Sequence, residues 1–250
     1  MGKTTKFALA FVLLPVFAVS PLFSLQIDPL RMLIQVSAGQ EQTGSITITN
    51  SKQTPVNVLI SLQNSLLEGD IEWLSLDKDS VFLEANQKAN VNYRVLIPEG
   101  VVGECNARIA FLENPVASGE QSMLSIKTKI SIPFFASVKG TEIQDLEILS
   151  FDVNEDKSDE AQIVIHNKGN VHTRPTGMCS IRTSGEHGDQ LIQSTQVNHD
   201  GYPVRPGKKQ TFELKFSDPL VAGSYTAEFQ LKSITQISHT IKDEIKFQVD

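Results

Sequence analysis

Short alternating runs of apolar and polar residues recur about every ten to fifteen positions after residue 25, and turn-forming residues bound each run. The alternation is clearest at Ser45–Thr49, where Ile46 and Ile48 are expected to point inward and their polar neighbours outward. No stretch shows the periodicity of an amphipathic helix. Because short, evenly spaced strands are typical of β-sandwiches, the sequence predicts an all-β fold.

Each half of the chain has enough predicted strands for one immunoglobulin-like sandwich. In the first half they lie at residues 30–37, 43–50, 55–63, 79–84, 88–97, 105–113 and 123–138. In the second half they lie at residues 143–152, 160–167, 176–183, 190–196, 209–216, 224–233 and 237–249. The short polar segment Lys139–Glu142 separates the halves, which predicts two tandem domains over residues 25–139 and 140–250. Since this connector is short, we expect a fixed interdomain angle and a cleft at the junction.

Residues 1–24 have the pattern of a secretory signal peptide. Lys3 and Lys6 precede the apolar run Phe7–Val19, which is shorter than the roughly 20 residues of a membrane-spanning helix. A buried core helix or an uncleaved anchor is the alternative. We predict cleavage after Ser24, so that the mature chain is exported to the periplasm or, alternatively, to the cell surface.

The charge and cysteine content limit the classes of partner. Without Lys3 and Lys6 the formal net charge falls from −7 to −9, which argues against a nucleic acid or an anionic membrane as partner. Cys105 and Cys179 lie in different predicted domains, so we expect two free thiols rather than a disulfide.

No set of residues indicates catalysis, a metal site or a cofactor. The chain has no nucleophile elbow, phosphate-binding glycine loop or dinucleotide fingerprint. Among the five histidines only His166 and His172 are close in sequence, and no third ligand lies near them, so we interpret them as solvated turn residues. The sequence therefore predicts a non-enzymatic protein that binds another polypeptide and uses no cofactor.

Three segments of the first half resemble the periplasmic pilus-assembly chaperones of the chaperone–usher family. Asp28–Leu33 resembles the first strand of that family, in which an arginine precedes apolar residues. Arg108–Asn114 resembles its sixth strand, and Leu124–Ile132 resembles its long seventh strand. The second half is only weakly similar to that family. Through Ile165–Pro175 and Pro206–Lys209 it is similar instead to sandwich modules of bacterial surface proteins.

The resemblance implies a way of binding a secreted fibre or surface subunit. In the family, the seventh strand is an open edge that pairs with a subunit lacking one strand, while alternate apolar side chains fill the subunit's groove. The matching groove-filling residues here are Leu124, Ile126, Ile130 and Ile132. Alternatively, these side chains face the domain's own core. A structural or adhesive envelope protein is the rival function.

The resemblance also implies an anchor for the terminal carboxylate of the subunit. The family uses a first-strand arginine and a seventh-strand lysine in the interdomain cleft, and Arg31 matches the arginine. Ser131 stands at the position of the lysine, so the pair is incomplete unless Lys129 or another residue replaces it.

Overall fold

The protein is described by a computed structural model that covers residues 25–64, 71–115, 127–183, 190–234 and 238–250. Within these ranges it is built from strands, and no helix there is long and apolar enough to span a membrane. Four sheets form two pairs, each pair enclosing its own hydrophobic core. The predicted all-β fold with two immunoglobulin-like sandwiches in tandem is confirmed.

The first sandwich consists of nine strands in two sheets. The strands are β1 (Leu25–Asp28), β2 (Met32–Val36), β3 (Glu41–Asn50), β4 (Val56–Asn64), β5 (Leu74–Leu76), β6 (Ser80–Leu83), β7 (Lys88–Leu96), β8 (Glu104–Pro115) and β9 (Lys129–Val138). One sheet has the order β1-β3-β7-β5 and the other the order β2-β9-β8-β4-β6. Phe111 and Phe134 are the largest fully buried side chains between them.

The second sandwich consists of seven strands in two sheets. The strands are β10 (Leu146–Val153), β11 (Glu160–Asn167), β12 (Pro175–Thr183), β13 (Leu191–Val197), β14 (Lys209–Lys215), β15 (Gly223–Ile234) and β16 (Ser238–Val249). The sheets have the orders β10-β11-β14 and β13-β12-β15-β16. All seven strands coincide with predicted runs, because alternation and turn residues mark both ends of each one.

The first sandwich departs from the sequence-based prediction at three places. The strand predicted at residues 30–37 corresponds to β2, whereas β1, which lies before it and pairs with β3 in the other sheet, was not predicted. The short strand β5 was not predicted. The strand predicted at residues 123–138 begins at Lys129 among the described residues, and residues 123–126 lie outside them.

The two cysteines are free thiols, as the sequence predicted. Cys105 is half-buried in the first sandwich, whereas Cys179 is fully buried in the core of the second. Burial raises the pKa of Cys179 to about 12, so its thiol stays protonated and unreactive at neutral pH.

Candidate functional site

Strand β9 has one fully paired flank and one partly paired flank. On one side β8 runs antiparallel to it over residues 129–137. On the other side β2 runs parallel to it, but only over residues 134–138. Within the described part of the chain, residues 129–133 therefore have a neighbouring strand on one side only. Their main-chain groups on the open side are in a position to pair with another chain.

Of the four apolar side chains predicted to fill a partner's groove, two belong to described residues and two do not. Ile132 is 1% exposed and belongs to the core of the first sandwich, on the same face as Phe134. Its assignment to a partner's groove is therefore wrong, because the strand's alternation turns it inward. Ile130 is half-buried and packs against the edge of the same core. Leu124 and Ile126 lie outside the described residues, and their role stays a prediction.

The residue just before β9, Thr128, is hydrogen-bonded to the end of β8. The Glu113 amide donates a hydrogen bond to the Thr128 carbonyl at 2.8 Å, and the buried Glu113 carboxylate forms an ion pair with Lys52. Because a buried carboxylate is stable only with such partners, the Lys52–Glu113 pair stabilises the part of β8 that contacts Thr128.

A cleft of about 480 Å³ lies at the junction of the two sandwiches, as the short connector predicted. Arg31 lines it from the first sandwich. Lys129 does not line it. Lys129 and the cleft residue Phe135 lie toward opposite ends of β9, about 20 Å apart at the usual rise per residue of a strand. Lys129 is thus not among the residues that line the cleft with Arg31, and the suggested replacement of the family's lysine by Lys129 stays a prediction.

A buried contact between a carboxylate and an imidazole joins the two sandwiches at one wall of the cleft. His172 Nδ1 lies 2.5 Å from Glu104 Oε2, and the two side chains are only 5% and 4% exposed. The imidazole also stacks on Phe135, with 3.9 Å between ring centroids. The interpretation of His172 as a solvated turn residue is therefore wrong. The pair links residues far apart in sequence, so no local pattern could have indicated it.

The connector is hydrogen-bonded to both sandwiches. On one side the Gly103 amide donates to Thr141 Oγ1 at 2.8 Å. On the other side Asn170 Nδ2 donates to the Thr141 carbonyl at 2.9 Å, and its Oδ1 accepts from the Ile143 amide at 2.7 Å. A side-chain Cβ at Gly103 would lie 2.6 Å from the Asn170 carbonyl oxygen, so this close approach requires glycine. These contacts support the predicted fixed interdomain angle.

We expect replacement of His172 by alanine to loosen this junction. Alanine leaves the buried Glu104 carboxylate without its imidazole partner, which costs about 1–3 kcal/mol, and proteolysis follows the population of the open form. Cleavage by trypsin after the exposed Lys139 should therefore accelerate about tenfold or more. His199→Ala is the control, because His199 forms only an exposed ion pair with Asp200. Equal cleavage rates in the two variants would contradict a structural role for the Glu104–His172 pair.

Comparisons with known proteins give a match in fold but not in sequence. No family model and no curated protein match the sequence. The YadV chaperone matches with a TM-score of 0.53 at 12% identity, covering 90% of this chain and 100% of that chain. The protein has the fold of the periplasmic pilus-assembly chaperones. The structure of the Salmonella enterica SafA pilin with the SafB chaperone gives a TM-score of 0.52 at 14% identity, covering 91% and 97%.

The match to the chaperone fold includes the second sandwich. The E. coli chaperone DraB has a TM-score of 0.50 at 14% identity and also covers 91% of this chain and 97% of its own. The first sandwich alone is too short to account for that coverage. The second sandwich, whose sequence resembles these chaperones only weakly, therefore shares their fold as well.

Proposed function

We propose that the protein is a periplasmic chaperone that binds a secreted β-rich subunit of a fibre or surface structure by lending it the edge of β9. The observation that carries the proposal is that, among the residues the structure describes, no strand pairs with residues 129–133 on the flank away from β8, although residues 134–137 are paired on both sides. An unpaired edge promotes aggregation unless a partner covers it. A subunit that lacks one strand would pair with this edge through main-chain hydrogen bonds.

The side chains that enter the subunit's groove are assigned to Leu124 and Ile126, with Ile130 at the margin of the domain's own core. The long strand β8 pairs with β9 and would hold residues 129–133 rigidly in place while they pair with the subunit. The similarity in fold to the SafB chaperone, solved with its pilin, supports this mode of binding. The protein is proposed to be non-enzymatic.

Co-purification from the periplasm tests this proposal. We expect the double variant Leu124→Asp, Ile126→Asp to lose its bound subunit, because two charges would have to enter an apolar groove. The matched control is Leu191→Asp, Ile192→Asp, which makes the same chemical change at two exposed residues of the second sandwich. Retention of every partner by the first variant would rule out strand donation, and loss by both variants would indicate a nonspecific effect.

Export itself gives a separate prediction. We expect the protein recovered from the periplasm to begin at Leu25, because cleavage after Ser24 would leave the strand β1 intact. Mass spectrometry of the intact protein measures the N-terminus directly. A chain that retains residues 1–24 would support the alternative of an uncleaved anchor.

A further inference from the structure

Strand β16 is the longest edge strand among the described residues. It runs over Ser238–Val249 and pairs with β15 along its whole length, without a shift of register. Within the described part of the chain, no strand pairs with its other flank. The main-chain N–H and C=O groups on that flank therefore form a long, regular row that a strand of another chain can join.

The other edges of the second sandwich are less open to pairing. Strand β10 has a register shift between Ile148 and Ser150, and such a bulge disrupts the ladder at an edge. Strand β13 is held against β14, the edge of the opposite sheet, because Thr195 Oγ1 donates to the Lys215 carbonyl at 2.8 Å. The regular, uncovered edge of this sandwich is therefore that of β16.

The two faces of β16 carry different side chains. On the face toward the sandwich, Ile245 and Phe247 are half-buried and pack against the core. On the outer face, every second residue is exposed, and three of these residues carry charges of alternating sign: Lys242, Glu244 and Lys246. Because opposite charges stabilise a cross-strand pair and like charges destabilise it, this alternation limits the registers in which a second strand can bind.

Two-fold symmetry limits the registers further when the second strand is β16 of another copy. The two strands are then antiparallel, and one central residue lies opposite its own copy. A centre at Lys242, Glu244 or Lys246 places like charges opposite each other. A centre at Asp243 places two half-buried carboxylates together. A centre at Ile245 avoids both conflicts and places Glu244 of each copy opposite Lys246 of the other.

We propose that β16 binds β16 of a second copy of this chain in the register centred on Ile245. The paired segments are residues 241–249, so that the apolar Ile241 lies opposite Val249 of the second copy, and the two four-stranded sheets join into one. This dimer goes beyond the proposed chaperone function. Because β9 belongs to the other sandwich, its edge stays available for a subunit.

Sedimentation equilibrium of the protein recovered from the periplasm, at about 1 μM to about 1 mM, tests whether the dimer forms. We expect the dimer to become populated within this range. Exposed lysines also serve to keep foreign strands away from an edge. A protein that stays monomeric throughout would assign this role to Lys242 and Lys246 and would overturn the proposal.

Charge reversal tests the register. Glu244→Lys and Lys246→Glu each turn two opposite-charge pairs into like-charge pairs, so each should weaken the dimer by about tenfold or more. The double variant Glu244→Lys, Lys246→Glu restores opposite charges and should restore the dimer. Lys232→Glu is the matched control, because Lys232 is exposed on the inner strand β15. Circular dichroism verifies that each variant is folded. A double variant that dimerises no better than the single variants would contradict this register.

Oxidative cross-linking tests the central residue directly. Opposite residues of antiparallel strands have Cα atoms about 4.5–5.5 Å apart, a distance that a disulfide can bridge. Ile245→Cys should therefore form a covalent dimer. Asp243→Cys lies on the same face but opposite Phe247 of the second copy, so it should not. The unaltered protein measures the background from the half-buried Cys105 and the buried Cys179. Equal cross-linking of the two variants, or none with Ile245→Cys, would overturn the assigned centre.

The dimer and strand donation use different edges, so their tests are separable. The Leu124→Asp, Ile126→Asp variant should stay dimeric although it loses its subunit. Lys246→Glu should keep the subunit although its dimer is weakened. If the Leu124→Asp, Ile126→Asp variant becomes monomeric, self-association belongs to the edge of β9 and the assignment to β16 is wrong.

Discussion

Replacing Phe134 with alanine is expected to lower the free energy of unfolding of the first sandwich by about 3–5 kcal/mol. Phe134 lies in β9 between β8 and β2 and is fully buried. Its ring packs edge-on against Tyr93, with 5.1 Å between centroids, and at a tilt against Trp73, with 6.0 Å between centroids. Because Tyr93 of the opposite sheet and Trp73 both pack against it, the cavity left by alanine cannot close without moving the elements that hold these rings.

Urea unfolding followed by tryptophan fluorescence measures this effect, since Trp73 is the single tryptophan and contacts the substituted side chain. The matched control is Phe82→Ala, in which the same change is made at a side chain of the same sheet that is 54% exposed. We expect the control to change stability by less than about 1 kcal/mol. A loss of similar size in both variants would contradict the assigned core.

Replacing Asn167 with aspartate is expected to destabilise the second sandwich by about 3–5 kcal/mol. The buried Asn167 side chain donates from Nδ2 to the carbonyls of Val171 and Val204 at 2.8 and 2.9 Å. Aspartate has the same shape but cannot donate when ionised. The Val171 carbonyl then loses its described partner, the Val204 carbonyl keeps only the Thr173 amide at 3.0 Å, and both face a buried negative charge. Each unsatisfied buried acceptor costs about 1–3 kcal/mol.

Thermal unfolding monitored by circular dichroism measures this loss. The matched control is Asn90→Asp, because Asn90 is exposed and its Oδ1 only accepts a hydrogen bond from Thr47 at 3.1 Å. The same arrangement recurs in the first sandwich, where Asn50 at the end of β3 donates to the Thr54 and Glu84 carbonyls, each at 2.9 Å. An Asn167→Asp protein as stable as the control would show that these hydrogen bonds contribute little.

Local sequence patterns were enough to predict most of the fold. Strands with one buried face, such as Ser45–Thr49 within β3, alternate strictly, and their turns contain residues such as Gly39 with a positive φ of 72°. Strand β1 was missed because its four residues are too few for a periodic signal. That β1 pairs with β3 while β2 pairs with β9 depends on strands that are distant in sequence. Strand β5 is too short for a periodic signal.

The candidate site was predicted less completely, because its residues meet only after the chain has folded. Arg31 was found through its place in a family-like first strand, whereas Arg174 precedes a strand of the other sandwich and has no local signature. The contact of Glu104 with His172 likewise joins β8 to a turn of the second sandwich. The inward orientation of Ile132 was one of two alternatives that alternation alone could not separate.

Hydrogen exchange at the main-chain amides of residues 129–132, which precede Pro133, tests most directly whether β9 offers an open edge to a partner. It is measured by NMR or mass spectrometry in the free protein and in the complex recovered from the periplasm. The amides on the flank away from β8 should exchange rapidly in the free protein and become protected when the subunit is bound. Protection of these amides in the free protein, or rapid exchange that persists in the complex, would contradict strand donation.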